Sequence, residues 1–170
     1  MRTLGTHHSS YGRTPAAVSR RLALGCGLVL AGVLTAGCAS KPVVTPVSIT
    51  LLAAPDANPD ARGRASPLTV RVYALKTPGP FEGADFFSLF EKDQATLGAE
   101  LVQREEMLLR PGESKKLELT LPPDAKAIGV MAAFRDLDRA RWREVRALEV
   151  GKPQTLTVTF GARQIRVESK

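Results

Sequence analysis

Histidine and cysteine are scarce in this 170-residue chain, two of each, and both histidines sit at positions 7 and 8. The long remainder therefore has no imidazole. That excludes a Ser-His-Asp or Cys-His nucleophile pair and an imidazole metal site there. Aromatic residues make up only 5%, which leaves few platforms for stacking a sugar ring or a base. No apolar run reaches the roughly 20 residues that cross a bilayer easily. The run Leu22–Thr35, LALGCGLVLAGVLT, carries no charge over fourteen residues.

That run explains much of the composition. Arg20 and Arg21 precede it and Ala36-Gly37-Cys38 follows it. A basic start, a short apolar stretch and a small-residue cleavage site describe a signal peptide. Leu34-Thr35-Ala36-Gly37-Cys38 resembles the bacterial lipobox. In that resemblance Cys38 receives a diacylglyceryl group, the chain is cut before it, and the new amine is acylated. Residues 1–37 are then a removed leader, and Cys38 with the tether Ala39–Pro46 joins the membrane to one domain, 47–170. Two or more acyl chains anchor stably, because each buried methylene adds about 0.8 kcal/mol. The residue after Cys38 is Ala39 rather than the Asp that holds such proteins at the inner membrane, so the outer membrane is expected.

Removing the leader changes the charge argument. Residues 1–37 hold four arginines and no acid, which leaves 20 basic and 17 acidic side chains, a formal +3, in place of +7. The case for a nucleic-acid partner falls with the basicity. Both histidines and Cys26 leave as well. No disulfide, cofactor or metal is expected, and no enzymatic activity.

The body of the chain alternates apolar and polar residues in short runs separated by turn signals. Val47, Ile49 and Leu51 make one such run, and Leu68, Val70, Val72 and Ala74 a second. Leu101–Leu109 is a weaker one. Pro111-Gly112-Glu113 turns into Leu117, Leu119 and Leu121. Ala127–Phe134, AIGVMAAF, is apolar throughout and reads as a central strand buried on both faces. Trp142–Val150 follows, and then, after Gly151-Lys152-Pro153, come Leu156, Val158 and Phe160 and finally Ile165 and Val167. Eight strands with frequent turns predict an all-β, two-sheet sandwich. One segment, Ala84–Gly98, places Phe86, Leu89, Phe90 and Leu97 at helical spacing. It predicts an insertion of one or two short helices whose Phe-rich face lies on the sandwich, with Asp85 and Asp93 each able to cap a helix start.

Most charged clusters read as surface. Asp136-Leu137-Asp138 lacks the further ligands of a calcium loop and reads as a solvated turn. Glu105 and Glu106 point to opposite faces of a strand. Arg139, Arg141, Arg143 and Arg146 are expected on a solvated strand face with Trp142 buried behind them. The exception is the loop Ala54, Pro55, Asp56, Ala57, Asn58, Pro59, Asp60, Ala61, Arg62, Gly63, Arg64, Ala65 and Ser66. At thirteen residues it is far longer than a hairpin connection; such loops are often functional, and composition alone leaves a flexible surface excursion equally open. Few core residues are expected in it, so that a shortened version should still fold.

The order of several features across residues 38–167 resembles the TssJ lipoproteins of the type VI secretion system, also called the SciN or VasD family. The carriers are the lipobox, Asn58, and Gly63-Arg64-Ala65-Ser66-Pro67-Leu68 leading into Val70-Arg71-Val72-Tyr73-Ala74-Leu75-Lys76. Phe81, Ala84-Asp85-Phe86 through Leu89, Asp93 and Leu97-Gly98 continue the pattern. Pro111-Gly112, Ile128-Gly129-Val130, Ala132-Ala133-Phe134-Arg135 and Trp142-Arg143 complete it. The resemblance implies a transthyretin-type β-sandwich with an added helical element. It implies attachment to the periplasmic face of the outer membrane and binding to the periplasmic C-terminal part of TssM, which also associates with TssL. It places TssM binding on the loop between the first two strands, here Ala54–Ser66. An alternative from a different class is a periplasmic lipoprotein that binds a small ligand or carbohydrate.

Overall fold

The structure, a computed structural model, describes residues 42–169. The expected leader and Cys38 lie outside the described residues. The chain builds eight strands: β1 (Thr45–Ala53), β2 (Leu68–Leu75), β3 (Leu101–Leu109), β4 (Ser114–Leu121), β5 (Ala127–Ala132), β6 (Arg143–Ala147), β7 (Gln154–Phe160) and β8 (Ile165–Ser169). They form two four-stranded sheets, one ordered β4-β1-β7-β8 and the other β3-β2-β5-β6. The two-sheet, mostly β architecture expected from the alternation is present.

β1 starts at Thr45, so two residues of the expected tether belong to the sandwich. Pro46 is tolerated in this central strand because the parallel ladder with β7 begins only at Val47. Pro46 faces one strand alone, Thr120 of β4, where a missing N–H costs less. Val47, Ile49, Leu51 and Ala53 point inward and are buried, while Ser48, Thr50 and Leu52 alternate outward. Val70, Val72 and Ala74 of β2 and Ile128, Val130 and Ala132 of β5 meet them from the second sheet. Each fully buried Leu, Ile, Val or Phe in this layer contributes about 1.5–3 kcal/mol.

The second sheet is covered on both sides. Its outer face carries Tyr73, Leu75, Ala127 and Met131, which pack under a helical layer through Phe81, Leu89 and Leu97. This is why AIGVMA is buried at every position. The layer holds α1 (Gly79–Gly83), which the periodicity did not predict, and α2 (Phe86–Leu97), which it did. α1 is one turn with Phe81 as its buried side chain, too short for a period to show. Gly129 lets Phe81 approach: a Cβ there would stand 3.1 Å from the Phe81 ring and from Leu75 Cδ1.

Asp85 caps α2, accepting from Ser88 N at 2.9 Å. The expected second cap is corrected. The helix breaks at Lys92 (φ −139°, ψ 37°), and Asp93 turns inward instead. It is 5% exposed and accepts from Tyr73 Oη at 3.3 Å and from Arg104 at 2.7 Å, with Arg71 at 3.5 Å. Burial pushes the Asp93 carboxyl up. The Arg104 hydrogen bond and charge, the Gln94 backbone N–H and the Arg71 charge together outweigh it and hold the group below its ordinary range. Burial also raises Tyr73 to about 12, so its hydroxyl stays a donor. Arg71 donates as well to the carbonyls of Leu89 and Phe90, so one buried carboxylate and one guanidinium fasten the helices to the sheet.

The arginine-rich segment differs from expectation too. The strand runs only from Arg143 to Ala147, and Trp142 precedes it, half-buried. Arg143 is not on a solvated face. It donates to the carbonyls of Phe81 and Ala84 and lies 4.7 Å over the Trp142 ring. The outer face of this sheet belongs to the helices, so a charge placed there has to satisfy helix-end carbonyls. Arg146, on the opposite face, donates to Val167 O.

Candidate functional site

The strand pairings give the sandwich two distinct ends. Thr45, Leu121, Gln154 and Ser169 mark one end of the first sheet, and Leu75, Ala127, Leu101 and Ala147 the same end of the second. The chain enters the domain there. At the other end lie the 54–67 loop, the 110–113 turn, the 133–142 connection and the 161–164 turn. β1, nine residues, separates the two ends by about 30 Å.

The long loop is built, not loose. It leaves β1 with Ala54 N donating to Phe160 O, and Ala57 N closes a turn on Ala54 O. Ala57 is fully buried in the sandwich core. Asn58 follows at φ 51°, a left-handed conformation that Asn adopts more readily than most residues. It is 2% exposed, and its amide bridges two segments. Nδ2 donates to Pro67 O at 2.8 Å, closing the base of the loop. Oδ1 accepts from Arg135 N at 2.7 Å, tying it to the 133–142 connection.

A second turn forms the tip. Asp60 Oδ1 accepts from the backbone N–H groups of Arg62 and Arg64, both at 2.9 Å, and Oδ2 pairs with the Arg64 guanidinium. The Arg64 N–H and then its side chain hold the Asp60 carboxyl below its ordinary range. Gly63 takes φ 79° and donates to Asp60 O. Ser66 N donates to Ala57 O, so the two turns are nested.

This arrangement sorts the thirteen predicted residues. Ala57, Asn58 and Ser66 are buried and shape the loop. Pro55, Asp56 and Ala61–Ala65 are exposed, with Ala54, Pro59 and Asp60 half-exposed. One residue of the loop, Ala57, belongs to the core, in keeping with the expectation of few, and Asn58 fastens two connections.

Residues that the sequence reads as surface, with Arg163, which it does not single out, complete this end. A cleft of about 630 Å³ runs between the loop and its neighbours, lined by Pro59, Asp60, Ala61, Gly63, Arg135, Asp136, Asp138, Arg139 and Arg163. Asp136 accepts from Arg163 at 2.8 Å, with Arg139 at 3.9 Å. Arg62 and Arg135 make no ion pair among the described residues. Asp136-Leu137-Asp138 is the solvent-facing turn that was expected, and its nearness to the loop rests on contacts 77 residues apart in sequence. Among the described residues no group of three His, Cys, Asp or Glu side chains could hold a metal.

A stiff sandwich, braced on one side by helices and carrying a preorganised loop at one end, is the architecture of a docking module. A family profile described as "Type VI secretion lipoprotein, VasD, EvfM, TssJ, VC_A0113" matches residues 45–163. The crystal structure of the type VI lipoprotein TssJ1 from Pseudomonas aeruginosa is similar at 44% identity and a TM-score of 0.73, covering 76% of this chain and 98% of that one. Lip from Serratia marcescens, a membrane-bound component of the type VI secretion system, is similar at 28% identity and a TM-score of 0.68, covering 76% and 99%. A chain in the structure of "T6SS protein TssM C-terminal domain (869-1107) from EAEC" is similar at 28% identity and a TM-score of 0.59, covering 72% and 99%. Among curated proteins none matches. The chain belongs to the TssJ family of type VI secretion lipoproteins.

Proposed function

We propose that this chain is acylated on Cys38, sits on the periplasmic face of the outer membrane, and binds the periplasmic C-terminal domain of a TssM protein through the exposed tip of its β1–β2 loop. Through TssM it connects to TssL and to the inner membrane. Its role is structural rather than enzymatic. The observation that carries this reading is the fixed geometry of the loop. Nested turns hold Asp60–Ala65 outward at the end of the sandwich opposite to where the chain enters. A tip prepared in this way loses little conformational entropy on binding. The similarity to a chain in a TssM C-terminal domain structure supports the choice of partner.

The test is a calorimetric titration of the protein with the periplasmic domain of the TssM-like protein from the same genome. Arg62→Glu with Ala61→Asp changes two exposed tip residues that make no core contact. The pair is expected to weaken binding at least tenfold, or about 1.4 kcal/mol. Unchanged affinity would move the interface off the loop. The carbohydrate reading is less favoured, because the residues lining the cleft include no aromatic ring.

A further inference from the structure

Three of the large apolar side chains exposed to solvent gather at the end where the chain enters the domain. They are Val43, 54% exposed, Val44, 42% exposed, and Val150, 39% exposed. Val43 and the Val150–Gly151 turn lie side by side, and Val44 follows Val43 in the entering segment. Val43 Cγ1 stands 3.1 Å from where a Cβ would sit on Gly151, next to Val150, and Gly151 N donates to Thr45 Oγ1 at 2.9 Å. The entering segment is thus fastened to the β6–β7 turn. Exposed lysines border the patch. Lys126 lies at the same end, its N–H donating to Leu75 O and its carbonyl accepting from Leu148 N. Lys152 sits two residues past Val150 and pairs with Glu149 at 2.6 Å.

We propose that this end is a membrane-contact face, with Val43, Val44 and Val150 resting in the headgroup region of the leaflet that holds the anchor and Lys126 and, in exchange for its Glu149 partner, Lys152 reaching lipid phosphates. The proposal rests on the acylation of Cys38. Four residues, Ala39–Pro42, lie between Cys38 and Val43, so even a fully extended chain keeps them within about 18 Å. The interfacial layer of a bilayer is itself several ångströms thick. A short, proline-containing tether therefore holds the patch against lipid. Apolar side chains flanked by lysines suit that zone, because the valines leave water while the ammonium groups stay at the phosphates. The domain then stands upright, with β1 directed away from the membrane and the β1–β2 loop about 30 Å further out.

The lipidated protein provides its own labelling background, since its one mature cysteine is alkylated. Val44→Cys, Val150→Cys and, at the far end, Ala61→Cys are each tagged with a small fluorophore. The full processed protein is reconstituted into phosphatidylethanolamine–phosphatidylglycerol vesicles containing headgroup-nitroxide lipid. Several-fold stronger quenching at positions 44 and 150 than at 61 is expected. Equal quenching at all three positions in protein that floats with the vesicles would overturn the contact face and leave the anchor standing. Protection of 44 and 150 only on adding the TssM-like domain would also overturn it, in favour of a protein partner. Protein that does not float would overturn the acylation and the contact face together. All three sites are exposed, and matching thermal melts check that each variant is folded.

Discussion

Replacing Asn58 by Ala tests whether the loop works because it is fixed. The side chain is 2% exposed and makes two hydrogen bonds, at 2.8 Å to Pro67 O and 2.7 Å from Arg135 N. Each is worth about 1 kcal/mol net. The backbone at φ 51° costs an ordinary L-residue about 1 kcal/mol more. Asn58→Ala is therefore expected to destabilise the domain by about 3 kcal/mol, or on the order of 10 °C in Tm for a domain of this size. Asn58→Gly removes the same two bonds and none of the backbone comfort, so it should recover about 1 kcal/mol of that loss. Urea unfolding of both variants gives the two numbers. Amide exchange at Ser66 and Arg135 should quicken in both, because the base of the loop has opened. Binding to the TssM-like domain should weaken at least tenfold, since the tip must then be ordered during association. Equal stability of the Ala and Gly variants would refute the strain argument. Unchanged affinity with a loosened loop would refute the claim that its preorganisation serves docking.

Three other outcomes follow from the helical layer. The Asp93 carboxyl is held below its ordinary value of 3.8, so the stability it contributes is full above about pH 4 and is lost as the pH falls through its lower folded value. Asp93→Asn should cost about 2 kcal/mol at neutral pH and flatten the acid limb of a urea-midpoint profile; an unchanged limb would refute the assignment. Gly129→Ala puts a methyl group 3.1 Å from Phe81 and Leu75, and should cost about 1–2 kcal/mol, part of which Phe81→Leu restores in the double variant. Asp85→Ala removes the α2 cap and should cost about 1 kcal/mol in chemical unfolding, while Asp85→Ser should be close to neutral.

Period-two alternation exposed the sandwich because one face of most strands meets water and the other meets the core. It found β1, β4, β7 and β8 for that reason and β2 because Thr69, Arg71 and Tyr73 alternate with its apolar residues, and it read β5 as doubly buried from the unbroken run AIGVMA. What it missed follows from the same rule. α1 is a single turn, and the Trp142–Arg143 corner answers to the helices above it, so its arginine is neither a surface charge nor a core residue. Asp93 looks like a cap in sequence because caps are short polar residues before apolar runs. Only the approach of Tyr73 and Arg104 from two strands makes it the centre of an ion-pair network. The loop was legible by its length, and its division into shaping and presenting residues was not. Ala57 carries no sequence mark that separates it from Ala61, and Asn58, although a carrier of the family resemblance, shows no sign in sequence of the two segments it ties.

The layers explain why one loop can be offered so rigidly on so small a domain. A two-sheet sandwich ordinarily has two outer faces in water. Here one sheet carries helices on its outer face, and its β2 and β5 are clamped between the core and the helices. β2 receives the loop at Leu68 and β5 sends out the connection that Asn58 grips at Arg135. The two segments that fix the loop therefore spring from the two most enclosed strands of the molecule. Weakening the helical layer should loosen a loop it never touches. Asp93→Asn, far from the tip, is then expected to speed amide exchange at Ser66 as well as in α2, whereas exchange confined to α2 would mean that the clamp and the loop are mechanically separate.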